Sequence, residues 1–289
     1  MNIDELLNRY ADGERDFGAI NLHSANLTGL ELSGVNLKGA NLSSAQLTGV
    51  NLSGANLSGA NLTASTLSAA DFKRANLSEA NLSRVQLEQA TLCEADLNTA
   101  NLTDANLSSS NLNKANLSGA NLTNANLSNA DLREANLSGV KLPTQLSGVN
   151  LSAVDLIGVN LSKANLSRAK LLKTDLSKAT LSEANLNEAN LSEANLSRAN
   201  LRRAKLTNTR LKGANLREAN LAGANLQQAD LSEVNLIKAN LGGVNLNGAN
   251  LTNADLSEAR LRGAENVQPD QLNKAILTGT EMPDATIHE

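Results

Sequence analysis

The side chains that carry chemistry in most active sites are few in this chain and far apart. His23 and His288 are the two histidines and sit at opposite ends of 289 residues. No histidine pair therefore exists to ligate a metal or relay a proton. Cys93 is the one cysteine. It has no intrachain disulfide partner, and with no histidine nearby it reads as a surface thiol rather than a nucleophile. Asp and Glu total 29, but a catalytic carboxylate pair needs a cleft that perturbs its pKa values. Here the acids fall at spaced, exposed positions. No catalytic, cofactor-binding or metal-ligating residue is assigned, and the chain is not expected to be an enzyme.

Three other patterns carry possible binding chemistry. Ser43, Thr63, Ser83, Thr103 and Thr123 recur every 20 residues beside Asn41, Asn61, Asn81, Asn101 and Asn121. Such a flat hydroxyl and amide face could hold ordered water, ice or glycan, or could simply be the unselected surface of a repeat. The stretch from Arg198 to Arg217 is rich in Lys and Arg and has no acid, which raises phosphate binding. Wrapped around a coil it becomes a belt facing acidic neighbours, so an ion-pair lattice is the expected reading and direct nucleic-acid binding is not. The many "NLS" and "NLT" triplets match the glycosylation sequon, but a lattice of Asn-Leu-Ser generates them automatically.

All three patterns derive from one periodicity. From Phe17 to Leu142, and again from Leu146 to Leu261, a large residue falls every five positions, and it is Leu everywhere except Phe17 and Phe72. Two residues before this centre stands Ala, Val, or occasionally Ser or Thr; one before stands Asn, Asp or a substitute. A helix advances about 100° per residue, so a five-residue period would spread the centres around every face. A short extended segment followed by a turn keeps the centre and the small residue on one side. The other positions are polar and face water. Each unit is then one side of a coil, and coils stack through main-chain hydrogen bonds at about 4.8 Å.

Charges fix the number of sides. Residues one coil apart are ladder neighbours, and opposite signs there are stabilising. At a spacing of 20 the series Arg74, Glu94, Lys114, Glu134 alternates in sign, as do Lys163, Glu183, Arg203 and Arg198, Glu218, Lys238, Glu258. Arg84 meets Asp104, Arg168 meets Glu188, and Lys173 meets Glu193. Spacings of 15 and 25 bring more like charges together. Four sides and 20 residues per coil follow.

Tandem "ANLSG" and "ANLSE" over most of the chain resembles the pentapeptide repeat family. The resemblance implies an all-β fold, a right-handed quadrilateral β-helix of about 12 coils and roughly 60 Å, with Leu and Ala ladders filling the interior. Some family members mimic duplex DNA and bind type II topoisomerases such as gyrase, which needs rows of exposed acid. Here that position is mostly Asn, with Asp at 71, 96, 131, 155, 175, 230 and 255.

Open solenoid ends need caps. "IDELLNRYA" places Ile3, Leu6, Leu7 and Tyr10 at helical spacing, with Gly13 as a stop. The expected organisation is a helical cap at 1–15, a repeat β-helix at 16–263 and a C-terminal cap at 264–289. That last segment holds a short helix from Pro269 and displaced centres at Leu277, Met282 and Ile287. "MPDATIHE" resembles tails of bacterial family members and implies an intact C-terminus. Between Leu142 and Leu146 one residue is missing. A 19-residue coil is expected there, with Pro143 removing a donor and Thr144 standing in for the inward residue, in one continuous, locally kinked rod.

The net charge is −4, with −5 in residues 1–145 and +1 in 146–289. No apolar run approaches a membrane span, and the acidic N-terminus does not read as a signal peptide. The expectation is a cytoplasmic, monomeric scaffold without cofactor, metal or membrane contact, acting on an unknown protein partner.

Overall fold

The computed structural model describes residues 3–289. Met1 and Asn2, the first residues of the expected cap, lie outside the described residues. The chain divides into two compact units, Met1–Gln145 and Leu146–Glu289. The division falls at the short step between Leu142 and Leu146.

Within each unit the β-structure consists of single-residue parallel bridges rather than long strands. The residue before each centre pairs with its equivalent 20 positions on, as in Asn56↔Asn76 and Asn195↔Asn215. Four five-residue sides therefore make one coil. The unit Ala55–Gly59 shows why this sequence holds the shape, because all five of its N–H groups are bonded. Asn56 donates to Val35 in the preceding coil at 2.9 Å, and Leu57 to Asn76 in the following one at 2.7 Å. Gly59 donates to Ser78 at 2.8 Å, and Ala55 closes a turn onto Leu52 at 3.0 Å. The fifth donor, Ser58 N–H, goes to the Asn56 side-chain Oδ1 at 3.1 Å. Buried main chain is thus satisfied, and Asn earns its place before the centre by an Asx turn.

The last residue of each unit adopts the left-handed conformation: φ is 65° at Gly54, 59° at Glu79 and 60° at Lys163. Glycine enters this region without strain, whereas other residues are disfavoured by about 1–2 kcal/mol. The hydrogen-bond lattice offsets that cost at many non-glycine positions.

The core of each unit is a stack of Leu centres and small residues. Phe72, Leu57 and Leu186 are fully buried, as are Ala60 and Ala184. Each Leu buried in this way contributes about 1.5–3 kcal/mol before entropy is subtracted, which lets aliphatic ladders replace an aromatic core. Where Ser65, Ser110, Thr174 or Thr209 takes the small position, its buried hydroxyl donates to a Leu carbonyl at 2.7–2.9 Å.

The first unit begins with α1 (Ile3–Ala11). Leu6 is completely buried, and the Tyr10 hydroxyl donates to the Ser33 carbonyl at 2.9 Å. Arg9 hydrogen-bonds Glu14 and lies 5.5 Å from the Phe17 ring centroid, which ties the helix to the first centre. At the other end of this unit Asn126 pairs with Gln145, a step of 19 rather than 20. The inward place there is taken by Pro143, which is buried, whereas Thr144 is exposed. The expectation for Thr144 is corrected: the proline ring is the apolar group of the two, so it goes inward. Lys141 replaces the usual Asn at this step. No donor is stranded, because Pro143 has no N–H to satisfy.

In the second unit the coil lengthens near the C-terminus, where Asp255 pairs with Ile276, 21 positions on. The short α2 (Pro269–Leu272) fills one side. Gln271 Nε2 donates to the Leu246 and Ala249 carbonyls at 2.9 and 2.8 Å, replacing main-chain partners. The expected centre Ile287 is 63% exposed and is corrected. It pairs antiparallel with Glu281, so the tail folds back over the last edge instead of continuing the coil. Leu277 and Met282 are half-buried.

Candidate functional site

Two positions per unit are free to carry function, the residue after each centre and the left-handed residue beyond it. The first is half-buried across much of the chain and the second is exposed. In the hydroxyl column, Ser43 donates to Asn41 Oδ1 at 2.7 Å, and Thr63, Ser83, Thr103 and Thr123 donate to their own Asn at 2.6–2.8 Å. Asn101 Nδ2 in turn donates to Asn81 Oδ1 at 3.3 Å. The column's hydroxyl protons are therefore directed into the lattice, leaving acceptor lone pairs outward. Ser53, Ser118 and Ser257 do the same on other sides, so this column is not distinguished from the rest of the surface.

The left-handed positions carry the ion ladders. Arg74 meets Glu94 at 2.9 Å, Lys114 meets Glu134 at 3.7 Å, and Lys163 meets Glu183 at 3.9 Å. Arg168 meets Glu188 at 3.0 Å, Lys173 meets Glu193 at 3.5 Å, Arg198 meets Glu218 at 2.8 Å, and Lys238 meets Glu258 at 3.4 Å. In all seven the cation belongs to the earlier coil. The alternation read from sequence is thus broken into separate pairs: Glu94 and Lys114, Glu183 and Arg203, and Glu218 and Lys238 are not joined, nor are Arg84 and Asp104. Side-chain lean explains the direction. Thr99 lies over Gly119, Glu193 over Gly213, Arg203 over Gly223 and Gln228 over Gly248, each one coil later. When every side chain leans toward the later coil, a long cation reaches a shorter acid ahead of it, and a short acid falls behind the cation ahead.

The pairs move their carboxyls. A hydrogen bond from Arg74 holds Glu94 below the usual range, and one from Arg198 does the same to Glu218. At Asp175 burial pushes the carboxyl up, but hydrogen bonds from Ser177 and Asn195 outweigh it and leave the group lowered.

The basic belt splits into two classes. Arg198, Lys212 and Arg217 have acidic partners. Arg202, Arg203, Lys205 and Arg210 are exposed and make no ion pair. Cys93 is half-buried, and that burial pushes its thiol up, against reactivity. His23 Nδ1 sits 2.9 Å from Ser43 Oγ in the first unit. His288, in the second, lies beside a shallow hollow lined by Pro269, Leu272, Leu277 and Met282. Among the described residues no group of three or more His, Cys, Asp or Glu could hold a metal ion, and no helix is long and apolar enough to cross a membrane. The directional pairing was missed by sequence reasoning, because an alternating ladder offers both orders and only the lean of the side chains selects between them.

A family model described as "Pentapeptide repeats" matches at residues 16–54, 55–92, 100–139, 144–182, 174–213, 199–236 and 229–265. No curated protein matches the chain. Among solved structures, the chain is similar to HetL, a pentapeptide repeat protein involved in heterocyst differentiation regulation from the cyanobacterium Nostoc sp. strain PCC 7120. That match has 34% identity over 100% of both chains and a TM-score of 0.45. Rfr23 from the cyanobacterium Cyanothece 51142 is 32% identical over 47% of this chain and 93% of its own, with a TM-score of 0.20. QnrB1, a plasmid-mediated fluoroquinolone resistance protein, is 18% identical over 81% of this chain and 88% of its own, with a TM-score of 0.23.

Proposed function

The chain belongs to the pentapeptide repeat family, and from that premise we propose that it is a non-enzymatic scaffold that presents its side-chain columns to a protein partner. Members of this family adopt a right-handed quadrilateral β-helix. The observation that carries the proposal is the division of labour within each unit. Three positions are consumed by the core and the Asx lattice, and two repeat outward with variable chemistry. Among the described residues no buried side-chain polar atom lacks a hydrogen-bond partner, so the interior serves the fold and the outward columns are left to meet a partner. A cytoplasmic, monomeric state belongs to the same proposal.

A duplex-DNA mimic acting on a type II topoisomerase is disfavoured by charge. Mimicry needs rows of exposed acid, whereas the ladder before the centres is mainly Asn: Asp71 stands between Asn51 and Thr91, and the adjacent acids Asp155 and Asp175 give way to Asn195. The cations of the second unit oppose it further. A face for ice or glycan is disfavoured because the hydroxyl donors of the column at 43–123 are already engaged.

Quantitative affinity capture with the full chain as bait tests the scaffold reading. A discrete protein enriched over a scrambled-surface control in near-stoichiometric amount is expected. Enrichment of nothing beyond that control contradicts it.

A further inference from the structure

One side of the second unit combines unpaired arginines with a bare floor. Arg202 and Arg203 follow the centre Leu201, and Arg260 and Arg262 flank the centre Leu261, three coils further on the same side. At about 4.8 Å per coil the two arginine rows stand roughly 14 Å apart. The two coils between them carry Ala222, Gly223, Gly242 and Gly243 at the outward positions. At Gly242 a Cβ would meet Asn240 Oδ1 at 3.2 Å, so the floor there is flush with the backbone. All four arginines are exposed, and none makes an ion pair.

The lean of the side chains explains why they are unpaired. Arg203 Cγ lies 3.5 Å from where a Gly223 Cβ would stand, so it points toward the side of the next coil, residues 219–225, that offers no acid. Glu183, in the coil before, is taken by Lys163 at 3.9 Å. Glu281 pairs through main chain with Arg260 but forms no ion pair with it. Elsewhere in this unit Lys163, Arg168, Lys173, Arg198 and Lys238 all meet an acid one coil ahead. Lys170, Lys178, Lys205 and Arg210 of this unit also lie outside the ion pairs, so what marks this side is the cleared band beside its four arginines.

We propose that this side, with Arg202 and Arg203 on one edge and Arg260 and Arg262 on the other, docks an extended acidic segment of a partner protein. The proposal rests on the scaffold reading and names the partner's chemistry. Guanidinium groups bind carboxylates in bidentate fashion, and a band two coils wide, roughly 10 Å, admits one extended chain. A nucleic-acid strand fits less well. It binds through stacking on aromatic side chains as well as charge, whereas the floor is Gly and Ala and the protein contains no Trp, one Tyr and two Phe.

The test uses the full chain with a fluorescein-labelled decaglutamate peptide, read by anisotropy, and a labelled ten-nucleotide oligothymidylate as the competing class. Saturable peptide binding that weakens as salt rises is expected. Arg202→Glu with Arg262→Glu should weaken it at least tenfold. Gly223→Glu should weaken it several-fold, because it supplies Arg203 with the acid that Glu218 supplies to Arg198. Its thermal transition should stay cooperative and fall only by as much as that of Gly223→Ala, which bears the same left-handed strain and should leave binding within twofold. Lys178→Glu makes the charge change of one of the two arginine substitutions on another side and should leave binding within twofold, whereas Arg202→Glu alone should weaken it several-fold. No peptide binding, equal loss in Lys178→Glu, or oligothymidylate binding as tight as the peptide would each overturn the proposal. A partner captured equally well by wild type and by Arg202→Glu/Arg262→Glu would overturn this surface alone and leave the scaffold standing. Failure to capture any partner would count against the scaffold.

Discussion

Arg198 Nε donates to Glu218 Oε2 at 2.8 Å across one coil step, yet Glu218 forms no ion pair with Lys238, the cation one coil further. The same order holds in all seven ion pairs spaced by 20 residues, so these ladders have polarity. Polarity follows from backbone geometry, since the paired residues Arg74 and Glu94, Lys163 and Glu183, and Arg198 and Glu218 all share a left-handed φ near 60° and project their side chains alike. A solenoid built this way distinguishes Arg-then-Glu from Glu-then-Arg although composition and net charge are identical.

Exchanging the equivalent pair in the first unit, Arg74→Glu with Glu94→Arg, should therefore break it without changing net charge, because Gly54 one coil earlier offers the new acid no cation. The sign of the pH effect follows from the lowered Glu94 carboxyl, held down chiefly by its hydrogen bond from Arg74. A depressed folded-state value gives stability that is present above the unfolded value and lost as pH falls through the folded one. Wild type should lose more stability than the exchanged variant over that acid window, and high salt should narrow the difference. Thermal melts at paired pH and salt values measure it.

The Asx lattice predicts a sharp preference before each centre. Asn76 Oδ1 accepts from Ser78 N–H at 3.0 Å and Ser78 Oγ at 2.7 Å. Asn76→Ala strands the Ser78 N–H and should cost about 1–2 kcal/mol. Asn76→Asp retains the accepting oxygen and should cost less. Chemical denaturation of the two variants decides this.

Conformation at the left-handed corner can be tested apart from contacts. Gly54 has φ 65°, and nothing lies within 4 Å of an added Cβ. Gly54→Ala should nonetheless destabilise by about 1 kcal/mol, since the cost is backbone strain. Ala153, with φ 59°, should gain about 0.5 kcal/mol on substitution by Gly, after the entropy penalty is subtracted. Equal stabilities in both comparisons would remove strain from the account.

The short step makes a coupled prediction. Pro143→Ser introduces an N–H at a buried residue where Lys141, not Asn, precedes the centre. The single change should cost about 1–3 kcal/mol. Adding Lys141→Asn should recover about 1 kcal/mol by restoring the acceptor. A double-mutant cycle with no coupling would show that Lys141 and Pro143 are not a compensated pair.

Much of this architecture was legible in sequence because the period is read directly from Leu and Ala. The 20-residue coil was legible because charge order is sensitive to ladder neighbours. Three things were hidden for physical reasons. The inward turn of Pro143 depends on the shortened corner, where a proline ring and a threonine hydroxyl compete for one place. The exposure of Ile287 comes from a tail that reverses and pairs with Glu281, which no period announces. The unpaired state of Arg202 and Arg203 depends on side-chain lean, which requires coordinates. The engaged hydroxyls at Ser43 to Thr123 belong with these, because a column of Ser and Thr looks the same in sequence whether its protons point outward or into the lattice.

The central claim is that the outward columns of this chain meet a protein partner. Its most direct test is site-specific photo-crosslinking in the native cell, with the probe placed in turn at exposed Arg203, Lys178 and Arg84. The account predicts a discrete crosslinked protein of reproducible mass from at least one of these positions. Irradiation that yields no adduct at any of the three, in cells where the tagged chain is folded and abundant, would contradict it.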